Sequence, residues 1–211
     1  MRSAYTFTST LMLVLATSAL AADLAASRPL YNPADIWSRL NDANAKNELK
    51  ITKQQEKGVN ACFDQHRKAS ERDAETIFKW TGPDKEAKVR ALGTQRGEEL
   101  LRSLGRVLNA TQVQRLKQIL LQEWGITLFH HPEIRQALKL SDQQVATLKA
   151  IYDKLCNDLA LELKNKRLTP QEAQSQYLTL SKGAPDQVRA ALTEQQRKTL
   201  NDLLGKPYRF Q

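Results

Sequence analysis

Two cysteines, three histidines and a scatter of carboxylates are the side chains of this 211-residue chain that could do chemistry. Cys62 and His66 stand four positions apart, the spacing that puts two side chains on one face of a helix. His130, His131 and Glu133 crowd together at what reads as a helix boundary. Either group could contribute to a metal site, but zinc needs three or four ligands in a recognisable spacing and neither group supplies them. No metal ligand is assigned. Glu71, Asp73, Glu98 and Glu99 fall at helix-surface positions, where solvation and ion pairing account for them. No nucleophile elbow, phosphate-cradling glycine loop, zinc-protease helix or dinucleotide fingerprint occurs. The chain therefore does not read as an enzyme, and no catalytic residue and no cofactor is expected.

The cysteines suggest a structural role instead. Cys62 lies beside Val59 and Phe63, and Cys156 beside Leu155 and Leu159, so both fall on apolar helix faces. In an exported protein such a pair reads as a disulfide. A Cys62–Cys156 bridge would close a loop of 94 residues and contribute about 4 kcal/mol in the chain-entropy account. Two inert core thiols are the alternative. Export itself is expected from Arg2, the apolar run LMLVLATSAL at 11–20 and the small residues around Ala19 to Ala21, which together read as a signal peptide over 1–21 with cleavage near Ala21. The run is too short for a permanent span, and no later stretch approaches the roughly 18 apolar residues that a span needs. A periplasmic or secreted protein is the expectation.

What must position these side chains is a set of helices, and the sequence marks their starts with one phrase written five times. The copies are ITKQQ (51–55), ATQVQ (110–114), LSDQQ (140–144), LTPQE (168–172) and LTEQQ (192–196). A hydroxyl residue followed three positions later by Gln or Glu is a capping box. The hydroxyl accepts from the N–H of the third helical residue, and the Gln or Glu reaches back to the N–H of the cap. Thr52 with Gln55, Thr111 with Gln114, Ser141 with Gln144, Thr169 with Glu172, and Thr193 with Gln196 are the predicted boxes. The apolar residue before each box suits a hydrophobic staple, and Pro170 occupies the first helical position, where its missing N–H costs nothing.

Apolar residues recur at three and four positions after the boxes, as in Val113, Leu116, Leu120, Trp124 and Leu128, and in Val145, Leu148, Tyr152, Leu155, Leu159 and Leu163. The chain is predicted to be all-α, with about six to eight amphipathic helices in antiparallel hairpins over 33–47, 52–80, 84–108, 111–129, 132–138, 141–166, 169–182 and 193–204. Residues 22–211 read as one helical domain: an N-terminal segment with a short helix over 22–50, then a helical body over 51–211. The copies start 59, 30, 28 and 24 residues apart, too irregular for a solenoid. The middle of the helix over 52–80, DQHRKASERDAET, has few large apolar residues, so that helix is expected to be exposed along much of its length or to line a shallow concave surface.

Removing residues 1–21 takes away one base and no acid, leaving 31 basic against 23 acidic side chains, a net +8. Such a surface attracts polyanions and acidic chains, but there is no run of five or six consecutive basic residues, no aromatic-interleaved basic strand and no zinc-finger spacing, so a dedicated nucleic-acid module is not supported.

A signal peptide, a helical body and repeated L-T-x-x-Q boxes resemble the LTxxQ-motif periplasmic proteins of the Spy and CpxP type. Leu192-Thr193-Glu194-Gln195-Gln196 matches that motif in full, and each of the other copies departs from it by one residue: Ile51 and Ala110 stand in place of the leucine, Ser141 in place of the threonine and Glu172 in place of the glutamine. The resemblance implies a cradle-shaped homodimer that acts as an ATP-independent chaperone or as the accessory of a stress sensor. Over residues 108–211, RLKQILLQEWG, HPEIRQALKLSDQQ and LTEQQRKTLNDLLGKPYRF are similar to secreted helical proteins of planctomycete bacteria, a likeness that implies no activity. Two classes of function follow. One is an envelope binding protein that captures unfolded or acidic clients. The other is a non-catalytic interaction protein that binds a fixed protein partner or an anionic polymer.

Overall fold

A computed structural model describes residues 28–166, 169–180 and 183–210. The signal peptide and its cleavage site, and Leu168 of the fourth phrase, lie outside the described residues. Among them are ten α-helices and one 3-10 helix, and no strand. The helices are α1 (Pro33–Asn41), α2 (Ala43–Leu49), α3 (Lys53–Phe78), α4 (Lys85–Leu104), α5 (Ala110–Glu123), α6 (Pro132–Leu138), α7 (Asp142–Lys166), α8 (Pro170–Leu180), α9 (Ala184–Ala191) and α10 (Glu194–Leu204), with the 3-10 helix at Gly125–His130 between α5 and α6. The all-α expectation holds. Where the sequence reads as a single helical domain over 22–211, the described chain resolves into two compact units, one of residues 28–124 with 203–210 and one of residues 125–202.

The differences from the predicted helices have local causes. Asp42 stops the first helix because its backbone is extended, and its carboxylate then accepts from the Ala45 N–H at 2.8 Å to open α2. One residue thus ends one helix and caps the next. Past Glu123 the chain winds as a 3-10 helix that starts at Gly125, whose φ of +51° suits glycine. Between the helices predicted over 169–182 and 193–204 the chain forms a further helix, α9, with Pro185 in its first turn.

The first unit packs Ile36, Leu40, Leu49, Leu100, Leu104, Leu116 and Ile119 into one core drawn from α1, α2, α4 and α5. The second buries Leu128, Ile134, Leu138, Leu148, Leu155, Leu159 and Leu192. Both units run through the same local sequence of events. A seven-residue helix, α2 or α6, ends on a lysine in the left-handed conformation, Lys50 at φ 52° or Lys139 at φ 50°. The next N–H, of Ile51 or Leu140, bonds back five residues to Lys46 or Arg135 at 3.0 Å, a Schellman-type closure. A hydroxyl cap follows, and then a long helix. LKITKQQ and LKLSDQQ are two printings of this passage, 89 residues apart.

The second box is displaced from its predicted register. The cap of α5 is Asn109, not Thr111: its side chain accepts from the Gln112 N–H at 2.9 Å, and Gln112 returns a bond to the Asn109 N–H at 2.9 Å. Thr111 and Gln114 are exposed on the first turns of α5. Asn caps at least as well as Thr, and this register places the buried Leu108 at the staple position, as Leu192 stands before Thr193. Asn109→Ala is expected to lower unfolding free energy by about 1 kcal/mol, whereas Thr111→Ala should stay within about 0.5 kcal/mol of the parent. Urea denaturation of the two variants reads the difference, and the reverse order would restore the predicted register.

The other boxes form as predicted. Thr52 and Gln55 exchange both bonds, as do Ser141 with Gln144, Thr169 with Glu172, and Thr193 with Gln196. The boxes that end in glutamine also meet in pairs. Within the first unit Gln55 Nε2 donates to Gln112 Oε1 at 2.8 Å, and Gln112 Nε2 donates to Gln55 Oε1 at 3.2 Å. Within the second, Gln144 and Gln196 do the same at 2.7 and 3.0 Å. Each amide further donates to a carbonyl just ahead of the opposite cap: Gln55 to Val107, Gln112 to Leu49, Gln144 to Ala191 and Gln196 to Lys139. Two helix starts are clasped side by side, once in each unit. The Glu172 side chain has no N–H to offer a second box, and its box closes on Thr169 alone.

Candidate functional site

The α3–α4 hairpin positions the side chains most available to a partner. Val59 is the one buried residue of α3, and the buried positions of α4 begin at Gly97. Cys62 and Phe63 still pack against the core, and no residue over 64–96 is fully buried. This matches the expectation of an exposed helix, but that helix is one arm of a helical pair rather than the wall of a concavity.

Arg96 ties the two arms together. Its Nε and Nη2 donate to both oxygens of Asp73 at 2.5 and 2.7 Å, and its Nη1 donates to Glu99 at 2.6 Å. The fork geometry is the strong form of this contact, and the bonds from Arg96 hold the Asp73 carboxyl below the usual carboxylate range. Of the carboxylates considered for chemistry, Asp73 and Glu99 are thus arms of an ion pair. Glu71 pairs with Arg67 one turn away at 2.9 Å, and Glu98 is exposed. His66 lies 3.3 Å from the Ser70 hydroxyl, and burial, aided by Arg96, lowers its pKa and favours the neutral ring.

Beyond this clasp the hairpin ends in Ile77, Phe78, Lys79 and Trp80, turns at Gly82 with φ +91°, and returns through Lys85, Lys88, Val89 and Arg90. Phe78 is 85% exposed and Val89 is 38% exposed, while Lys79, Lys85 and Lys88 are open to solvent. A phenylalanine left this bare forgoes about 1.5–3 kcal/mol of burial. Sequence reasoning passed over this end, although three large apolar residues just ahead of Gly82-Pro83 were a visible signal.

The other candidates are structural. Cys62 and Cys156 are free thiols, one in each unit, and the predicted bridge does not form. Cys62 packs beside the first core, and Cys156 packs against Tyr152 and Ile126 in the second. Burial pushes both thiols up, away from the reactive thiolate. His130 is buried edge-on to Tyr152, with ring centroids 4.9 Å apart, and His131 is wholly buried, while Glu133 is exposed, so that sequence cluster does not converge. Among the described residues no group of three or more His, Cys, Asp or Glu gathers to hold a metal ion.

A second polar cluster holds the C-terminal segment within the first unit. Gln122 donates to the carbonyls of Leu204 and Lys206 at 2.6 and 2.9 Å and accepts from the Tyr208 N–H at 2.7 Å. Arg115 donates to Lys206 at 2.7 Å, and the Tyr208 hydroxyl donates to Asp42 at 3.0 Å. Nearby, Glu123 pairs with Arg39, and burial raises its carboxyl to about 7. These bonds are spent on anchoring the chain's own backbone.

No family model, no curated protein and no solved structure matches the chain.

Proposed function

We propose that this chain is an exported, non-catalytic interaction protein that meets its partner through the end of the α3–α4 hairpin. The observation that carries the reading is Phe78, 85% exposed at the tip of an arm that Arg96 holds stiff. Exposed aromatic residues supported by a rigid element are the usual anchors of a contact surface. The absence of chemistry is supported by the engagement of Asp73, Glu99 and the buried histidines in ion pairs and packing. Export is supported by the apolar leader and its small-residue end.

A photoreactive residue placed at position 78 in living cells tests this, with the exposed Asn157 as the control site. A discrete crosslinked product from position 78 that position 157 does not give is the expected result. The same products from both sites, or neither a protein nor a lipid adduct from 78, would sink the reading.

The chaperone-like alternative is favoured by exposed apolar side chains outside the hairpin, namely Trp37, Leu161 and Phe210. It requires suppression of a denatured client's aggregation without ATP at near-stoichiometric ratios. The localised tip fits one fixed contact better than capture of an extended chain, which needs a broad apolar surface.

A further inference from the structure

We infer that the surface met by the α3–α4 hairpin is an anionic lipid headgroup layer, into which Phe78 and Trp80 dip while Lys79, Lys85 and Lys88 sit against the phosphates. This rests on the reading of the hairpin end as the contact surface and names its partner. Three observations favour a lipid surface over a protein groove. The tip is a turn between two helices, so it enters its partner end-on; a fluid layer accepts such a shape without a complementary pocket. The apolar residues at the end include an indole and a phenyl ring within three positions, and aromatic rings are enriched at membrane interfaces. The charge is complementary: residues 77–90 hold Lys79, Lys85, Lys88 and Arg90 against Asp84 and Glu86. Lysine suits this place because its long stem can lie along apolar surface while the ammonium reaches the headgroups. No described helix is long and apolar enough to cross a membrane, so the contact would be peripheral.

The expected strength is modest. One basic side chain near an anionic surface is worth about a fivefold factor in partition, and the effect fades with salt. The test is sedimentation of the full mature chain with vesicles of phosphatidylcholine alone and of equal phosphatidylcholine and phosphatidylglycerol. Partition to the anionic vesicles and not to the neutral ones is expected. Phe78→Asp and the pair Lys85→Glu with Lys88→Glu should each lower it by at least about tenfold with unchanged thermal unfolding, since all three side chains are exposed. Lys154→Glu, at an exposed lysine of the second unit, should change it little. Partition that survives both hairpin variants, or that Lys154→Glu reduces equally, would overturn the inference. Absence of partition together with a discrete protein crosslink at position 78 would overturn the lipid assignment and leave the interaction reading standing; absence of both would remove the two together.

Discussion

Gln112→Ala is expected to lower the unfolding free energy by about 2–3 kcal/mol, more than loss of an ordinary capping residue. The side chain is 8% exposed and uses both ends of its amide. Its oxygen accepts from the Asn109 N–H and the Gln55 amide, and its nitrogen donates to the Leu49 carbonyl at 2.9 Å and to Gln55. Truncation leaves those partners unsatisfied where water has little access, and an unmade buried bond costs more than a made one contributes. Gln112→Glu separates the two jobs of the side chain. A carboxylate can still accept from Asn109, but it cannot donate to Leu49 or Gln55, so this variant should be nearly as unstable as the alanine one. If the return bond to the cap were all that mattered, Gln112→Glu would unfold like the parent. A double-mutant cycle in urea with Gln55→Ala measures the clasp itself and should give a coupling of about 1 kcal/mol or more. A coupling near zero would mean that the two boxes stand independently.

Gly97→Ala should destabilise by about 3 kcal/mol, against the sign that helix propensity assigns to it. In an exposed helix interior, replacing glycine with alanine gains about 1 kcal/mol. Here Gly93 and Gly97 lie one turn apart on α4, and the segment ahead of α1 is laid across them. A Cβ at Gly97 would run into the backbone carbonyl oxygen of Tyr31, which cannot turn aside as a side chain would. The displaced segment carries the buried Leu30, whose carbonyl accepts from the Trp124 indole at 3.2 Å, and Tyr31, whose hydroxyl is pushed up to about 12 by burial. At Gly93 the added carbon meets Cγ of Pro29 at 2.7 Å, a ring that can shift, so Gly93→Ala should cost about 1 kcal/mol or less. Thermal unfolding of the two variants checks the order. A Gly97→Ala protein as stable as the parent would show that the crossing is not close-packed.

Much of the architecture is legible one helix at a time. Caps and staples act over four or five residues, so ITKQQ, LSDQQ and LTEQQ announce helix starts that the structure places where expected. The cap at Asn109 follows the same local logic. LNATQ keeps the leucine, the cap and the glutamine in the order of the other copies, with the Asn109 amide in place of a hydroxyl. The cysteines are a different case. Parity and compartment speak to whether a thiol can be oxidised, not to whether two Cα atoms come within reach. The tip of the hairpin went unread because apolar side chains in a helical pattern are ordinarily core, and only the neighbours decide whether a core is there.

The sequence by itself determined that the chain is helical and where most of its helices begin. These are local matters, settled by backbone bonds and side-chain period within a few residues. The tertiary structure decided what each glutamine does with the other half of its amide. A box explains one acceptor; the N–H groups left over find a second box 57 residues away in one unit and 52 away in the other. It likewise decided that Phe78 stays bare and that Gly97 must stay small. Burial and close approach depend on which segments meet, and that is set by the packing of the whole unit, beyond the reach of any local pattern.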